Sequence, residues 1–426
     1  MAGETTLTAV EVFVGLVAAA GLVGLLARRV AVPYTVALIV FGLAAAIFAP
    51  GLDFAITEDL VLLVLLPGLI FEAAYNLDVS ELRRAFGGVT LLAVPGVLLS
   101  ALVVAGILAV TTKIPFELGV VIGAMVAATD PAAVISTFRR LGSPKRLATM
   151  VEGESLFNDG TALVIFVIAL QMATGDASLL DGAVTFVLTV VVSTLIGGVI
   201  GFVASRLIAS VDDHLLELTI SLAMAYGAYL LADQLHESGI IATVVAGLVL
   251  GNYGRGIGMS ERTQEALNTV WEFIAFLLTA LVFLLVGLVI TFPSLVEAIG
   301  PIAWGVVAVM VGRALVVYLL LGGTSHLISD RFHPAIPTPW LHVMFWSGLR
   351  GAVAVAMALS LPPDFPQRLL LQEVTFGIVL FTMVVQGTTI GLVIQRSGAG
   401  NIDQPRTVES RHQSRDQREE TPDLTP

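Results

Sequence analysis

The sequence contains no cysteine, which excludes disulfide bonds, thiolate metal sites and cysteine nucleophiles. Charged residues are also scarce, at 13% of 426 residues, whereas soluble domains contain about 25%. Hydrophobic residues make up 57% of the chain and its mean hydropathy is +0.94. The 41 glycines and 18 prolines are dispersed through apolar sequence, which excludes a collagen-like or largely disordered chain. The composition therefore predicts a polytopic membrane protein.

Apolar windows follow one another almost from end to end of the chain. A bilayer core takes about 20 apolar residues per helix, and we count thirteen windows near that length. They lie near residues 8–27, 33–49, 58–74, 88–110, 117–137, 150–173, 183–207, 214–233, 238–251, 266–291, 298–322, 340–360 and 371–395. We predict an all-α transmembrane domain over residues 1–396. Residues 397–426 are too poor in hydrophobic residues to bury a core, so we predict a short disordered cytoplasmic tail there.

The basic residues are distributed unevenly between the two sets of loops. Those that follow odd-numbered spans are Arg28, Arg29, Arg83, Arg84, Arg139, Arg140, Lys145, Arg146, Arg206, Arg255, Arg262 and Arg331. Only Lys113 and Arg368 follow even-numbered spans, and Arg396 opens a tail that holds four further arginines. Because basic loops stay in the cytoplasm, this distribution predicts an N-terminus outside and a C-terminus in the cytoplasm.

A few polar residues lie at bilayer depth, where a charge costs at least about 2.5 to 3.5 kcal/mol and therefore needs a partner or a function. They are Thr129 and Asp130 in the fifth span, Glu154, Ser155, Asn158 and Asp159 in the sixth, Arg313 in the eleventh and Arg350 in the twelfth. These residues comprise three carboxylates and two guanidinium groups, which leaves a net charge of minus one. One cation or one proton would neutralise this net charge, so the charge balance favours a cation as substrate.

The fifth and twelfth spans carry signals for a break in the helix. Asp130 and Pro131 are the residue types that begin helices, and a helix start in mid-membrane implies two half-helices. Arg350 lies between Gly348 and Gly351, which weaken the twelfth span in the same way. The two broken spans are seven positions apart in the order of spans, an odd offset that predicts inverted-topology repeats with a site at the midplane. Plain helix capping by Asp130 and a purely structural counter-ion role for Arg350 are the alternatives.

The polar residues of the sixth span lie on one side of a helix at about 100° per residue, so we expect them to face the bundle interior. The alternative is that Asn158, Asp159 and Gly160 form a turn that divides the span. For Arg313 we favour a buried ion pair with Glu154.

Two separated motifs resemble the cation:proton antiporter family, in particular its NhaP-type members and the related sodium/hydrogen exchangers. They are "ATDPAAVISTFRRLGSPKRLATMVEGESLFNDGTALVIF" and "FWSGLRGAVAVAMAL", supported by "LLPGLIFEAAYNLD" and "FTMVVQGTTI". The resemblance covers residues 1–396 and implies a thirteen-helix homodimer in which two unwound helices cross.

The resemblance also implies roles for single residues. Asp159 is similar to the family residue that binds cation and proton alternately. Asn158 is similar to the asparagine that distinguishes the electroneutral members of the family. Thr129 and Ser155 resemble the other Na⁺ ligands, with Asp130 acting through water. Glu154 and Arg313 resemble a structural pair. A last position, Glu72 in the third span, resembles a family acidic position, with an ordinary interfacial glutamate as the alternative.

The sequence thus predicts a secondary antiporter in the cytoplasmic membrane that exchanges Na⁺ or a similar monovalent cation for H⁺, electroneutrally. Because no phosphate-binding loop for ATP occurs, we expect ion gradients to drive the exchange. We expect no cofactor. A channel for cations or an antiporter selective for K⁺ is the alternative. An enzyme is disfavoured because neither H-E-x-x-H nor G-x-S-x-G is present. The net charge of −12 disfavours nucleic acid as a partner.

Overall fold

The computed structural model describes residues 2–30, 32–48, 60–175, 178–290, 292–327 and 336–399. The predicted tail from residue 400 onward and Arg331 lie outside these residues. Within them the chain forms helices only. The spans are α1 (Ala2–Val30), α2 (Tyr34–Phe48), α3 (Leu60–Asn76), α4 (Val79–Thr111), α5a (Phe116–Met125), α5b (Ala132–Leu141), α6 (Lys145–Thr174), α7 (Leu179–Ile208), α8 (His214–Gln234), α9 (Gly239–Ile257), α10 (Glu261–Val289), α11 (Ile299–Gly323), α12a (Thr338–Trp346), α12b (Ala352–Leu359) and α13 (Arg368–Ser397).

The helices confirm the predicted all-α membrane architecture. Eight of the described helices are long and apolar enough to cross a bilayer, and four shorter apolar helices accompany them. The fourth span begins at Val79, earlier than predicted, because Asp78 caps its N-terminus. The Asp78 carboxylate accepts hydrogen bonds from the backbone N–H groups of Ser80 at 2.7 Å and Glu81 at 3.4 Å, which satisfies two groups that a helix start leaves unpaired.

The predicted breaks in the fifth and twelfth spans are confirmed. The fifth span is helical to Met125 and again from Ala132, and the twelfth is helical to Trp346 and again from Ala352. The second half of the fifth span starts one residue later than predicted, since Pro131 precedes the helix. Non-helical backbone at membrane depth is stable only where protein or water satisfies its polar groups.

The spans form two bundles. We call α4–α6 with α11–α13 the core bundle, because these helices make most of their contacts with one another. The remaining helices, α1–α3 and α7–α10, form the scaffold bundle. The core bundle takes three consecutive helices from each half of the chain, as inverted repeats require. The two broken spans lie in the core bundle and meet the scaffold bundle at α2, α3 and α10.

Close packing of α2 on α10 depends on two glycines. A Cβ atom on Gly42 would lie 3.1 Å from the Gly287 Cα atom, and one on Gly287 would lie 3.0 Å from the Gly42 Cα atom. Small residues let membrane helices approach until their backbones touch, and van der Waals contact then holds them together.

We predict that Gly42→Val lowers the thermal stability of the purified protein, because overpacking a tight contact costs about 1 to 3 kcal/mol. Gly106→Val is the matched control, since a Cβ atom there has no neighbour within 4 Å. Melting followed by intrinsic fluorescence should separate the two variants. Equal melting temperatures would contradict the proposed contact.

Candidate functional site

The two broken spans are joined through their unwound segments. The backbone N–H of Asp130 donates to the carbonyl oxygen of Leu349 at 2.8 Å. The guanidinium of Arg350 reaches back across the crossing, where Nη1 donates to the carbonyl oxygens of Ala127 at 2.8 Å and Ala128 at 3.4 Å. Each break therefore satisfies polar backbone groups that the other leaves unpaired.

Arginines occupy the C-terminal ends of both first half-helices. Arg350 binds the carbonyl groups that follow α5a. Arg313 of α11 donates to the Met344 carbonyl oxygen at the end of α12a, from Nε at 3.2 Å and from Nη2 at 2.6 Å. Since a helix carries partial negative charge at its C-terminus, both positions favour a cation. Arg350 is thus more than a counter-ion for a carboxylate.

Asp130 lies at the N-terminal ends of both second half-helices. Its Oδ1 atom accepts a hydrogen bond from the Ala132 N–H of α5b at 2.9 Å, and its carboxylate also interacts with the Ala352 N–H of α12b. The carboxylate packs directly on Gly351, where any Cβ atom would overlap it. A carboxylate suits the partial positive charge of a helix start. Asp130 therefore binds N–H groups at the start of both second half-helices, although Pro131 holds the N-cap position of α5b.

The sixth span holds the unwound segment in place with two side chains. Ser155 Oγ donates to the Thr129 carbonyl oxygen. Asn158 Nδ2 donates to Thr129 Oγ1 at 2.7 Å, and Asn158 Oδ1 accepts from the Thr129 N–H at 3.3 Å. All three residues are buried. Helix α6 is continuous through these positions, so the alternative of a turn at residues 158–160 is wrong.

Asp159 differs from its neighbours because part of its carboxylate has no partner. The Oδ1 atom is buried and forms no hydrogen bond with any described residue. The charges of Asp159 and Asp130 lie close enough to interact. The next residue, Gly160, packs against Ile241 of α9 in the scaffold bundle. An incompletely compensated carboxylate therefore belongs to the residue next to one that packs on the scaffold bundle.

Glu154 and Arg313 form a buried, two-pronged ion pair. Arg313 Nη1 contacts Glu154 Oε1, and Arg313 Nη2 donates to Glu154 Oε2 at 3.0 Å. The two residues are only 3% and 5% exposed. Two parallel hydrogen bonds fix the orientation of both groups as well as neutralising them. Glu154 is thus fully engaged, in contrast to Asp159.

Glu72 has a different set of neighbours from the residues at the crossing. Its Oε1 atom accepts a hydrogen bond from Asn76 Nδ2 at 2.8 Å. Its charge interacts with Arg139 of α5b and Glu272 of α10, and the same arginine interacts with Glu152 of α6. The structure brings Thr129, Asp130, Ser155, Asn158 and Asp159 to one place, and gives Glu72 no described hydrogen bond to them.

Two buried residues of α13 were not singled out from the sequence. Thr382 Oγ1 accepts a hydrogen bond from the Arg350 backbone N–H at 3.1 Å, which helps to fix the second break. Gln386 is 1% exposed, and its Oε1 atom has no partner among the described residues. Both lie in a π-helical turn, Thr382–Gln386, a distortion common at functional sites. Both residues lie in the motif "FTMVVQGTTI", and this motif was the part of the sequence that could have identified them.

The site offers oxygen atoms and one incompletely compensated carboxylate. Within the described residues, no cluster of three His, Cys, Asp or Glu side chains is placed to hold a metal ion. Hydroxyl, carbonyl and carboxylate oxygens suit a hard cation. The arrangement can therefore bind a proton or a small cation that passes through.

We predict that Arg313→Ala strongly destabilises the protein, because it leaves Glu154 charged and unpaired and removes two donors to Met344. Removing one partner of a buried pair typically costs about 3 to 5 kcal/mol. The double variant Arg313→Met with Glu154→Gln is the control, since it removes both charges together. Thermal melting should rank the single variant well below the double variant. A single variant as stable as the wild type would contradict the pairing.

The comparisons with known proteins agree with this arrangement. Residues 15–396 match the model of the family described as "Sodium/hydrogen exchanger, transmembrane". The chain is 38% identical to the Na⁺/H⁺ antiporter ApNhaP of Aphanothece halophytica over 381 residues, which covers 88% of this chain and 72% of the relative. It is 37% identical to the Na⁺/H⁺ antiporter NhaP of Pseudomonas aeruginosa over 348 residues, covering 79% and 80%.

A solved structure shares the fold. The sodium proton antiporter MjNhaP1 from Methanocaldococcus jannaschii superposes with a TM-score of 0.75 at 19% identity, covering 92% of this chain and 99% of that one. The family match spans both broken helices and every residue placed at the crossing. The chain therefore belongs to the sodium/hydrogen exchanger family.

Proposed function

We propose that the protein exchanges Na⁺ for H⁺ across the membrane and that both ions compete for Asp159. The observation that carries the proposal is the buried Asp159 Oδ1 atom, which no described residue compensates. A bare carboxylate at membrane depth is costly. A proton or a small cation can each remove that cost, and because both bind the same carboxylate, each ion displaces the other. The names of the similar proteins, which are Na⁺/H⁺ antiporters, support this function.

The neighbouring oxygens supply the remaining cation ligands in this proposal. Thr129 and Ser155 contribute hydroxyl and carbonyl oxygens beside Asp159, and Asp130 acts through a water molecule. Asn158 holds Thr129 by two hydrogen bonds, so it fixes the position of the ligands without carrying charge. With one titratable carboxylate per ion, one Na⁺ is exchanged for one H⁺. The role of Glu72 is to attract cations toward the site from the end of α3.

Transport requires the site to face each side of the membrane in turn. Helices α5, α6 and α12 carry the proposed ligands in the core bundle, and Gly160 marks where α6 lies against the scaffold bundle. We propose that the core bundle moves against the scaffold bundle once Asp159 is neutralised. The empty, charged form moves poorly because its carboxylate would cross the apolar contact unpaired.

The surroundings of the protein follow from the same proposal. It lies in the cytoplasmic membrane with its N-terminus outside and its C-terminus inside, as the basic loops favour. It needs no cofactor, since the cation is the substrate. It forms a homodimer. Among the eight described helices long enough to span the membrane, α7 leaves the most surface for a second copy, as only 22% of its spanning window is buried, against 39–50% in the other seven.

We predict that Asp159→Asn abolishes Na⁺-dependent proton movement in proteoliposomes while the protein remains folded. The amide cannot exchange a proton for a cation, so turnover should fall to the rate of empty liposomes. Asp212→Asn is the matched control, because Asp212 is exposed in the loop between α7 and α8. Exchange at the wild-type rate by the Asp159 variant would overturn the assignment of this residue.

We further predict that an imposed membrane voltage leaves the exchange rate unchanged, because one charge moves in each direction. The measurement is the rate of Na⁺-dependent proton movement in vesicles clamped at opposite voltages. A voltage-dependent rate would contradict one-for-one exchange. Current without a counter-gradient would instead indicate a channel, and repeating the assay with Li⁺ and K⁺ separates sodium exchange from potassium exchange.

A further inference from the structure

A cavity lies between the two bundles, away from the crossing of the broken helices. It has a volume of about 860 Å³ and is lined by α1, the start of α2, α5b and α10. The first, second and fourth of these elements belong to the scaffold bundle and α5b to the core bundle. Cavities of this size are typical of specific small-molecule sites. In the orientation proposed above, it opens at the cytoplasmic side of the membrane.

One wall of the cavity is apolar and continues to the exposed surface of the helices. The rings of Tyr34 and Phe276 stack with centroids 5.2 Å apart, and the Tyr34 hydroxyl donates to the Ala20 carbonyl oxygen at 3.1 Å, which fixes this wall. Leu25 lines the cavity and is 67% exposed. The apolar surface thus continues from the cavity to the outside of the helix bundle. A binding site for an acyl chain requires such a continuous apolar surface.

The opposite wall carries a positive charge without a partner. Arg140, in the last turn of α5b, lines the cavity beside Ser136 and Thr137. It is exposed and forms no ion pair or hydrogen bond with a described residue. The helix dipole accounts for a basic residue in the last turn. Because Arg140 also lines the cavity and has no anionic partner among the described residues, an anion bound in the cavity would meet a free positive charge.

We propose that this cavity binds an anionic phospholipid of the cytoplasmic leaflet. The phosphate pairs with Arg140, since guanidinium binds phosphate through two parallel hydrogen bonds, and Ser136 supplies a hydroxyl beside it. An acyl chain lies along the Tyr34 and Phe276 wall. Basic pockets between membrane helices on the cytoplasmic side bind such headgroups. Because the lipid touches both bundles, it stabilises the conformation in which the cavity is open.

The test is the thermal melting of the purified full chain in detergent with added dioleoyl phosphatidylglycerol. We expect a rise in melting temperature for the wild type and for Arg84→Gln, and no rise for Arg140→Gln. Arg84 is the matched control, because it is an exposed arginine already paired with Glu81 at 2.8 Å. A full rise in the Arg140 variant, or an equal rise with phosphatidylcholine, would overturn the proposal.

A second pair of variants tests the apolar wall independently of the charge. Gly21 lines the cavity, and a Cβ atom there has no neighbour within 4 Å, so Gly21→Leu fills the cavity without a clash. Gly15→Leu on the same helix is the control, with equally free space and no part in the cavity. The rise should be lost in the first variant and kept in the second. If both variants keep the rise in melting temperature, the proposal is overturned.

Two further arms identify the source of the anion. Glycerol 3-phosphate presents the headgroup chemistry without acyl chains, and we expect it to produce no rise. A full rise would assign the cavity to a free phosphate compound and overturn the lipid. If the rise with phosphatidylglycerol in the wild type disappears when residues 400–426 are deleted, the response belongs to the tail, which also overturns the proposal.

Discussion

The structure depends on the neutralisation of four helix ends inside the membrane. Breaking α5 and α12 exposes carbonyl groups at two C-termini and N–H groups at two N-termini, each carrying about half a unit charge. Arg350 and Arg313 occupy the negative ends, and Asp130 occupies both positive ends. With these charges in place, Glu154 balances Arg313. Each buried charge at the crossing thus has a partner among the described residues, except that of Asp159.

This division of labour explains why similar residue types at similar depth have different roles. Glu154 and Asp159 lie on the same helix, five residues apart, and both are acidic. Glu154 meets a fixed guanidinium on α11, whereas Asp159 has a buried oxygen that no described residue satisfies. A fixed partner makes a carboxylate structural. A partner that can leave, such as a proton or Na⁺, makes it a transport site.

Much of this architecture is predictable from the sequence. Long apolar windows fixed the number and order of the spans, and Asp130-Pro131 and Gly348–Gly351 predicted the breaks because such residues rarely interrupt an apolar helix without cause. The contacts of Arg313 and Arg350 with backbone carbonyls were not predictable. Sequence patterns count side-chain charges, whereas these partners are main-chain groups whose exposure depends on where each half-helix ends. The role of Thr382 was not predictable for the same reason, since its partner is a backbone N–H.

The central claim is that one carboxylate holds either a proton or a cation, and proton release on cation binding measures it directly. When Na⁺ is added to the purified protein in weakly buffered detergent solution, the account predicts release of one proton for each Na⁺ bound, and no Na⁺-induced release from Asp159→Asn. Sodium binding to the wild type without proton release, or the same release from the variant, would contradict it.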